Sequence, residues 1–536
     1  MKKIGLDFGT TNSTLCFYDP DQKNFDFYRM HSAGGPTYIP SFVRYEKEDG
    51  SVEIGKQAKT KQNDDDYSVF SGFKMLLGES KKERLEKYGF DSKTPDECAK
   101  SYIKKLFENY CNERNIPLEK IEDLVITVPE IWIKEHRHAS REHLKKIIND
   151  LKLPLKKLIS EPVAASAYFV HSYNKKYNSW FNGYLMLCDY GGGTLDLSLS
   201  NVEGEKITVL ECAGKGHDNE LLGKAGVAFD REVVTQVYER EKGEKLSRKN
   251  KKYYDLLDKF EEEKIHNQSD IEKRLEKYLK NKAVDKKVFL VDDLKFMASD
   301  LVNAFEKIIK PDLLNALNEM MGYIKKSNIN YTDPEQFRIV MAGGFSSFYL
   351  VQKTIKDFFG SKASSDKRFD SCFDIEETAL AIAKGAALIA NNMVSIDLTC
   401  PISVGLRLKT DAGCGFLEDK DIAILQKGEK LSKYQQSVFL KGGISVSIDP
   451  SMRKTPIIIF LGDDDKRRYI RLDKGLNQLF KGTNIKGNKW KVGFSVNENF
   501  LFTLHTQDKN GNKQETPLGD LLEKVSGLIY NEEDKI

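Results

Sequence analysis

Residues 6–18, LDFGTTNSTLCFY, and residues 187–200, LCDYGGGTLDLSLS, carry the pattern that decides the fold. Each is an apolar run ending in an aspartate, Asp7 or Asp189, then a Gly/Thr turn, then a second strand-like run. In the later copy Leu195, Leu197 and Leu199 alternate with Asp196, Ser198 and Ser200, which predicts a β-hairpin with an exposed polar turn. A unit of this kind repeated within one chain implies two related lobes.

The segments around the hairpins read as α/β units. IEDLVITVPE ends an apolar strand at Pro129, and a helix is expected over about 134–151. KKLIS leads into Glu161 and Pro162, where proline suits a first helical turn, and the helix continues through Val170. FRIVMAGGFSSF repeats the logic: a strand to Ala342, then Gly343 and Gly344, then Ser346 or Ser347 as N-cap. Residues 239–287 are dense in Lys and Glu, with Tyr254, Leu257 and Ile265 at helical spacing, and read as a solvated helical subdomain. From near residue 397 the chain turns to short alternating strands such as ISVGLRL, IIIFL and KWKVGFSV. Asn510-Gly511 predicts a primed hairpin turn, and LGDLLEKVSGLIY a final short helix.

Composition sets the bounds. A chain of 536 residues exceeds one core and predicts two to four domains. With 40% apolar and 31% charged residues it can bury cores and solvate a surface. The 84 basic and 81 acidic side chains nearly cancel, so no global field draws it to nucleic acid or a membrane. Eight cysteines without a C-x-x-C pair point to a reducing compartment. The polar, acid-bearing start MKKIGLDFGTTN lacks the apolar stretch of a secretory signal, and the expected location is cytoplasmic.

Chemistry follows from the turns. Gly9, Thr10, Thr11 and Asn12 can aim successive N–H groups and hydroxyls at a phosphate, and Gly191, Gly192, Gly193 and Thr194 can do the same. Asp7 and Asp189, just before those turns, become candidates to hold Mg²⁺ through waters, since hard oxygen ligands suit that ion. Hydrolysis also needs a carboxylate to position water and a fixed cation. Spacing alone names neither: Glu161 could be a helix-dipole partner and Lys74 a surface lysine with a buried stem. His136, His138 and His143 lie in a basic helical stretch without carboxylate or cysteine company and read as solvent-facing, with no metal. Cys188 reads as a small buried hydrophobe.

Taken together, the motifs resemble those of the seventy-kilodalton heat-shock chaperones (heat shock protein 70), members of the actin-like ATPase superfamily. IGLDFGTTNS is similar to that family's first phosphate loop, FKMLLG to its lysine segment, VITVP to its proline-switch strand and ISEPVAASAY to its connecting region. CDYGGGTLDLSL is similar to the second phosphate loop and VMAGGFSSF to the adenosine loop. The resemblance implies an α/β, two-lobed actin-like (ribonuclease H-like) ATPase domain over 1–391, a linker at 392–398, an all-β sandwich at 399–517 and a short helical tail at 518–536. It implies ATP/ADP and Mg²⁺ as cofactors, with Lys74, Glu161, Asp189 and Asp196 as hydrolytic residues. Gly343, Gly344 and Ser346 would lie near the nucleoside, and Glu261 and Lys264 in EEEKIHNQS near adenine, although Asn267 and Gln268 replace the family's Leu and Ser. In GVAFDRE, Gly226 and Asp230 match a further segment, while Lys224 and Ala225 stand where Leu and Gly are expected.

The implied partners are unfolded or extended polypeptide, a J-domain co-chaperone and a nucleotide-exchange factor, with no nucleic acid and no membrane. Two departures stand out. Met393-Val394-Ser395-Ile396 before Asp397 replaces the family's leucine-rich linker, and little sequence follows the sandwich to form a helical lid. A switch with little turnover that docks one partner, and an actin-like filament protein, therefore stand as alternatives to a coupled chaperone.

Overall fold

The computed structural model describes the chain except residues 1, 32–34, 62–63, 131, 133–137, 216–224, 247–250, 362–365, 370–377, 401, 412–416, 441–445, 448–456, 463–466, 473–488, 499, 520 and 522–536. Leu518 and Gly519 of the expected final helix end a strand instead, and the rest of it except Leu521 lies outside the described residues, as do 134–137 of the helix after Pro129, whose described part is His138–Asp150.

Both aspartate motifs form hairpins. Lys2–Phe8 pairs antiparallel with Asn12–Asp19, placing Asp7 opposite Thr14. Asn182–Tyr190 pairs antiparallel with Leu195–Glu203, placing Asp189 opposite Asp196. Each Asp-bearing strand then gains a parallel neighbour on its other edge: Ile121–Val128 beside Lys2–Phe8, and Phe337–Ala342 beside Asn182–Tyr190. A parallel neighbour runs the same way, so the loops after Val128 and Ala342 emerge at the ends where the Gly/Thr turns lie. Ligands of open α/β sheets gather at such strand ends.

Around these hairpins the first sheet runs Asn24–Phe27, Asn12–Asp19, Lys2–Phe8, Ile121–Val128, Leu155–Ser160, with Ile39–Pro40 added to Asn12–Asp19. The second runs Phe337–Ala342, Asn182–Tyr190, Leu195–Glu203, Lys206–Lys215, Ser395–Asp397. Helix Glu161–Tyr177 packs on helix Ala381–Ala390, whose small residues permit a close approach. A Cβ at Gly385 would fall 1.7 Å from the Ala164 carbonyl oxygen.

Several local expectations change. The alternating strand is buried on both faces, with all residues from Leu195 to Ser200 buried, because helices cover the sheet. Gly193 and Thr194 of the second turn are buried as well, so that turn is not exposed throughout. Neither Ser346 nor Ser347 caps a helix; Gly344–Ser347 forms a short 3₁₀ turn, and the next helix, Tyr349–Phe358, starts from Phe348. In helix Lys251–His266 the buried stripe is Tyr253, Leu256 and Phe260, one residue off the expected Tyr254 and Leu257, and Ile265 is 62% exposed. Asn510-Gly511 is not a primed turn. Gly511 alone has positive φ, at 87°, and the Asp508 carboxylate organises the connection by accepting from the Asn510 and Asn512 amides.

The chain divides into two compact units, one of residues 1–133, 139–207 and 211–395, the other of 134–138, 208–210 and 396–536. Among the described residues the second unit holds two sheets. One runs Leu417–Leu425, Val404–Asp411, Ile457–Leu461, Arg468–Leu472. The other runs Val438–Phe439, Lys489–Val496, Phe502–Gln507, Lys513–Gly519, with Val446–Ser447 added to Lys489–Val496. Period-2 alternation builds its core: Trp490, Val492, Phe494 and Val496 are buried while Lys489 and Lys491 face out. No helix among the described residues is long and apolar enough to cross a membrane.

Candidate functional site

The two Gly/Thr turns face each other. A Cβ on Gly193 would meet Thr10 Oγ1 at 2.9 Å, and one on Gly192 would meet Thr11 Cγ2 at 3.1 Å. The Gly226 and Val227 amides, opening helix Gly226–Lys242, donate to the Gly191 and Gly192 carbonyls at 3.3 and 2.9 Å and fix the second turn.

Behind the turns lies a cluster of acids around one lysine. Lys74 Nζ donates to Glu161 Oε1 at 2.5 Å, and the side chains are 1% and 9% exposed. Lys74 Nζ also sits 5.7 Å from the Phe8 ring centre and 5.9 Å from that of Trp132, so its charge is held between aromatic faces. The surface-lysine alternative does not describe Lys74, which is buried; Glu161 does stand in the first turn of helix Glu161–Tyr177, where a helix-dipole partner is expected, and holds the Lys74 charge as well. Thr127 Oγ1 donates to Asp7 Oδ1 at 2.9 Å, and the Glu130 amide donates to Asp196 Oδ1 at 3.0 Å.

Crowded acids resist ionisation. Desolvation, then the Glu161 charge, pushes Asp7 up to about 7 against the pull of Lys74 and Thr127. Desolvation and Glu161 likewise push Asp196 up to about 8. Asp189 is held well above the carboxylate range by desolvation, then by Glu161, Asp196 and Asp7. Asp189 Oδ1 and Asp196 Oδ2 are buried without a hydrogen-bond partner. Among the described residues no group of three or more His, Cys, Asp and Glu side chains is spaced to ligate a metal directly. Orphaned carboxylate oxygens under mutual repulsion fit a hydrated divalent cation, an ion that keeps its waters and takes few protein ligands.

Gly343 and Ser346 lie against the strand end that carries Asp189. Gly343 has φ 81°, and a Cβ there would sit 2.3 Å from Asp189 Oδ1, so only glycine lets this loop meet the carboxylate. Ser346 Oγ accepts from the Tyr190 amide at 3.1 Å and donates to the Cys188 carbonyl at 3.3 Å, which pins the Gly344–Ser347 turn to the strand end. Cys188 is buried, and burial pushes its thiol up to about 12. Lys264 is engaged by a residue outside the predicted set: its Nζ lies 2.6 and 2.7 Å from the two Asp230 oxygens and 5.6 Å from the Phe345 ring centre. Glu261 is half-buried on the same helix, and its charge raises Asp230. Gln268 Nε2 donates to Ser347 Oγ at 2.7 Å, so the residue that departs from the family pattern reaches the predicted nucleoside turn. His143 is not simply solvated but pairs with Asp96 at 2.5 Å; His136 and the His138 side chain lie outside the described residues.

Thr127, Glu130, Trp132, Asp230 and Phe345 join the site without having been singled out as part of it. VITVP marked the strand that carries Thr127, and strand parity places Asp7 and Thr127 together only once the parallel register is known.

This is a mixed α/β chain with paired Asp–Gly turns at parallel strand ends, and the family description "Hsp70 protein" matches its residues 83–414, more than half its length. The chain belongs to the Hsp70 family. It is 26% identical over 420 residues to the chaperone protein DnaK of Thermotoga neapolitana, covering 76% of this chain and 63% of that protein. It is 24% identical over 421 residues to DnaK of Thermosipho africanus, with the same coverage, and 26% identical over 374 residues to DnaK of Mycoplasmoides gallisepticum, covering 67% and 56%. The match thus spans under two thirds of those relatives' length.

Proposed function

We propose that this chain is a heat-shock-chaperone-like ATPase that binds ATP with Mg²⁺, hydrolyses it, and uses the cycle to regulate how its β-domain holds extended polypeptide. The reading takes residues 1–391 as a two-lobed actin-like ATPase domain, 392–398 as linker, 399–517 as a peptide-binding β-sandwich and 518–536 as a tail. The observation that carries it is the pair of facing turns backed by an acid cluster with Lys74 buried inside.

In this reading Thr10, Thr11, Asn12 and Gly191 to Thr194 hold the polyphosphate between the turns, where their N–H and hydroxyl donors replace water. Gly343, Gly344 and Ser346 seat the nucleoside, and Glu261 and Lys264 contact the base. Asp7 and Asp189 orient the hydrated cation, which when bound supplies positive charge to the phosphate oxygens. Lys74 offsets charge on the transferring phosphoryl group, and Glu161 and Asp196 orient the attacking water and accept its proton. The proposal extends to a cytoplasmic setting, a J-domain co-chaperone and an exchange factor, following the family and the DnaK relatives.

Single-turnover ATP hydrolysis of wild type and Lys74→Ala tests this. The variant is expected to bind ATP and to hydrolyse it about 10²–10³-fold more slowly, the usual cost of one preorganised charge-stabilising group. Undiminished hydrolysis would remove Lys74 from the chemistry. ATP binding without turnover in wild type would favour the low-turnover switch.

A further inference from the structure

Among the described residues the two most exposed large apolar side chains are Tyr38, at 51%, and Ile265, at 62%. Both line one cavity of about 430 Å³, together with Glu262, Glu263 and His266. An apolar side chain exposed on its own is ordinary. Two that come from distant parts of the sequence and converge in a concavity mark a place where a ligand completes the packing.

Each wall of the cavity is tied to one of the Gly/Thr turns. On the first side, strand Ile39–Pro40 pairs with Asn12–Asp19 and sets Pro40 opposite Asn12. The Ser41 amide donates to the Thr11 carbonyl at 2.8 Å, and the Ser41 hydroxyl donates to the Gly9 carbonyl at 2.7 Å. Tyr38 therefore leaves the sheet beside the first turn. On the other side, Ile265 follows Lys264, which Asp230 holds from helix Gly226–Lys242, the helix whose first amides fix the second turn. About two turns earlier in the Ile265 helix, Asp258 pairs with Lys59 at 2.9 Å, and Lys59 Nζ lies 5.8 Å from the Phe42 ring centre. That pair holds the helix across the segment that carries Tyr38.

Charge decides which end of a nucleotide suits the cavity. Ionised Glu262 and Glu263 accept hydrogen bonds and offer none, so they repel a phosphate and favour a group that brings N–H or O–H donors. The uncharged base and ribose are that end of the molecule, and the phosphates are left to the turns. A tyrosine ring fits a flat base because it offers a large face at the cost of two torsions.

We propose that this cavity grips the base of the bound nucleotide, Tyr38 stacking its ring on a purine and Ile265 supplying a second apolar wall. The proposal rests on the nucleotide reading above and adds a base contact from the side of the first turn. Stacking uses the ring face and not the hydroxyl, and a two-ring base covers more of that face than a pyrimidine does.

Calorimetric titration of ADP with Mg²⁺ into the full chain tests it. Tyr38→Ala is expected to weaken ADP binding about tenfold, within the range that loss of one base–aromatic stack costs. Tyr38→Phe, which keeps the ring, is expected to stay within about threefold of wild type. Half of Tyr38 faces solvent, so the melting temperature of the nucleotide-free Tyr38→Ala chain is expected not to fall. Photolysis of bound 8-azido-ADP, which reacts from the base, is expected to label the peptide that carries Tyr38, a signature that a merely structural tyrosine would not give. ADP affinity of Tyr38→Ala within about twofold of wild type would overturn the proposal, as would an equal loss in Tyr38→Phe, which would trace the effect to the hydroxyl. A weakened Tyr38→Ala without a label at Tyr38 in wild type would overturn it too, by placing the ring away from the base. A wild type that binds no ADP would instead sink the nucleotide reading. Normal ADP binding by wild type with an unaffected Tyr38→Ala would sink this inference alone.

Discussion

Asp230 shows how a single buried acid writes itself into stability. Desolvation pushes it up to about 6 from an ordinary 3.8, although both its oxygens lie against Lys264, and Glu261 adds to the rise. The folded state therefore holds this proton more tightly than the unfolded chain does. A raised acid contributes stability that is complete below its unfolded value and is lost as pH climbs through the folded one. Relative to Asp230→Asn, wild type is expected to lose roughly 3 kcal/mol between about pH 4 and pH 7. Denaturant midpoints of both proteins across that range give the difference. A flat difference would mean that Lys264 cancels the cost of burial. No spacing rule pointed to this pairing: Asp230 and Lys264 lie 34 positions apart on different helices, and only the packed fold brings them together.

Helix Ala381–Ala390 poses an element-scale question in which two physical effects compete. Gly385 sits within it, and on propensity alone alanine there would gain about 1 kcal/mol. The Cβ, however, would fall 1.7 Å from the Ala164 carbonyl oxygen, a backbone atom of helix Glu161–Tyr177 that no rotamer change can move aside. Overpacking costs about 1–3 kcal/mol, and against backbone the upper end applies. Gly385→Ala is therefore expected to lower the urea midpoint of the ATP-free chain. A raised midpoint would show that the two helices pack more loosely than described. The same element scale marks what the sequence could tell. Hairpins with a Gly/Thr turn and an alternating strand were legible because local chemistry specifies them. The second turn read as exposed because Gly/Thr hairpin turns usually are, yet Gly193 and Thr194 are buried, since the facing turn packs against them. Ser346 read as a cap because a serine before a helix usually is one, whereas its hydroxyl serves a strand 156 residues away in sequence. Glu130 and Trp132 stayed silent because their meaning depends on a parallel register that no local pattern encodes.

For the whole molecule the question is whether nucleotide and peptide are coupled. The chain passes from one compact unit to the other between Ser395 and Ile396, inside the strand Ser395–Asp397 rather than through a Gly/Ser tether. An extended, hydrogen-bonded segment can carry a change of state that a flexible tether would absorb. Asp397, at its end, is buried and lies 3.9 Å from Lys430 Nζ and 3.5 Å from Ser432 Oγ, so the β-unit grips the residue where the chain enters it. The unusual Met393–Ile396 sequence argues for weak coupling, this grip for some. Binding linkage is reciprocal: whatever factor peptide exerts on ATP affinity, ATP must exert on peptide affinity. An extended apolar peptide is expected to bind about fivefold more weakly in ATP than in ADP, the low end of allosteric couplings. Asp397→Asn is expected to bring that ratio toward one while ATP affinity in the absence of peptide stays the same. Fluorescence anisotropy of a labelled peptide in each nucleotide reads both. Equal peptide affinity in ATP and ADP, with ATP demonstrably bound, would rule out the coupled chaperone and leave a nucleotide switch whose β-domain acts on its own.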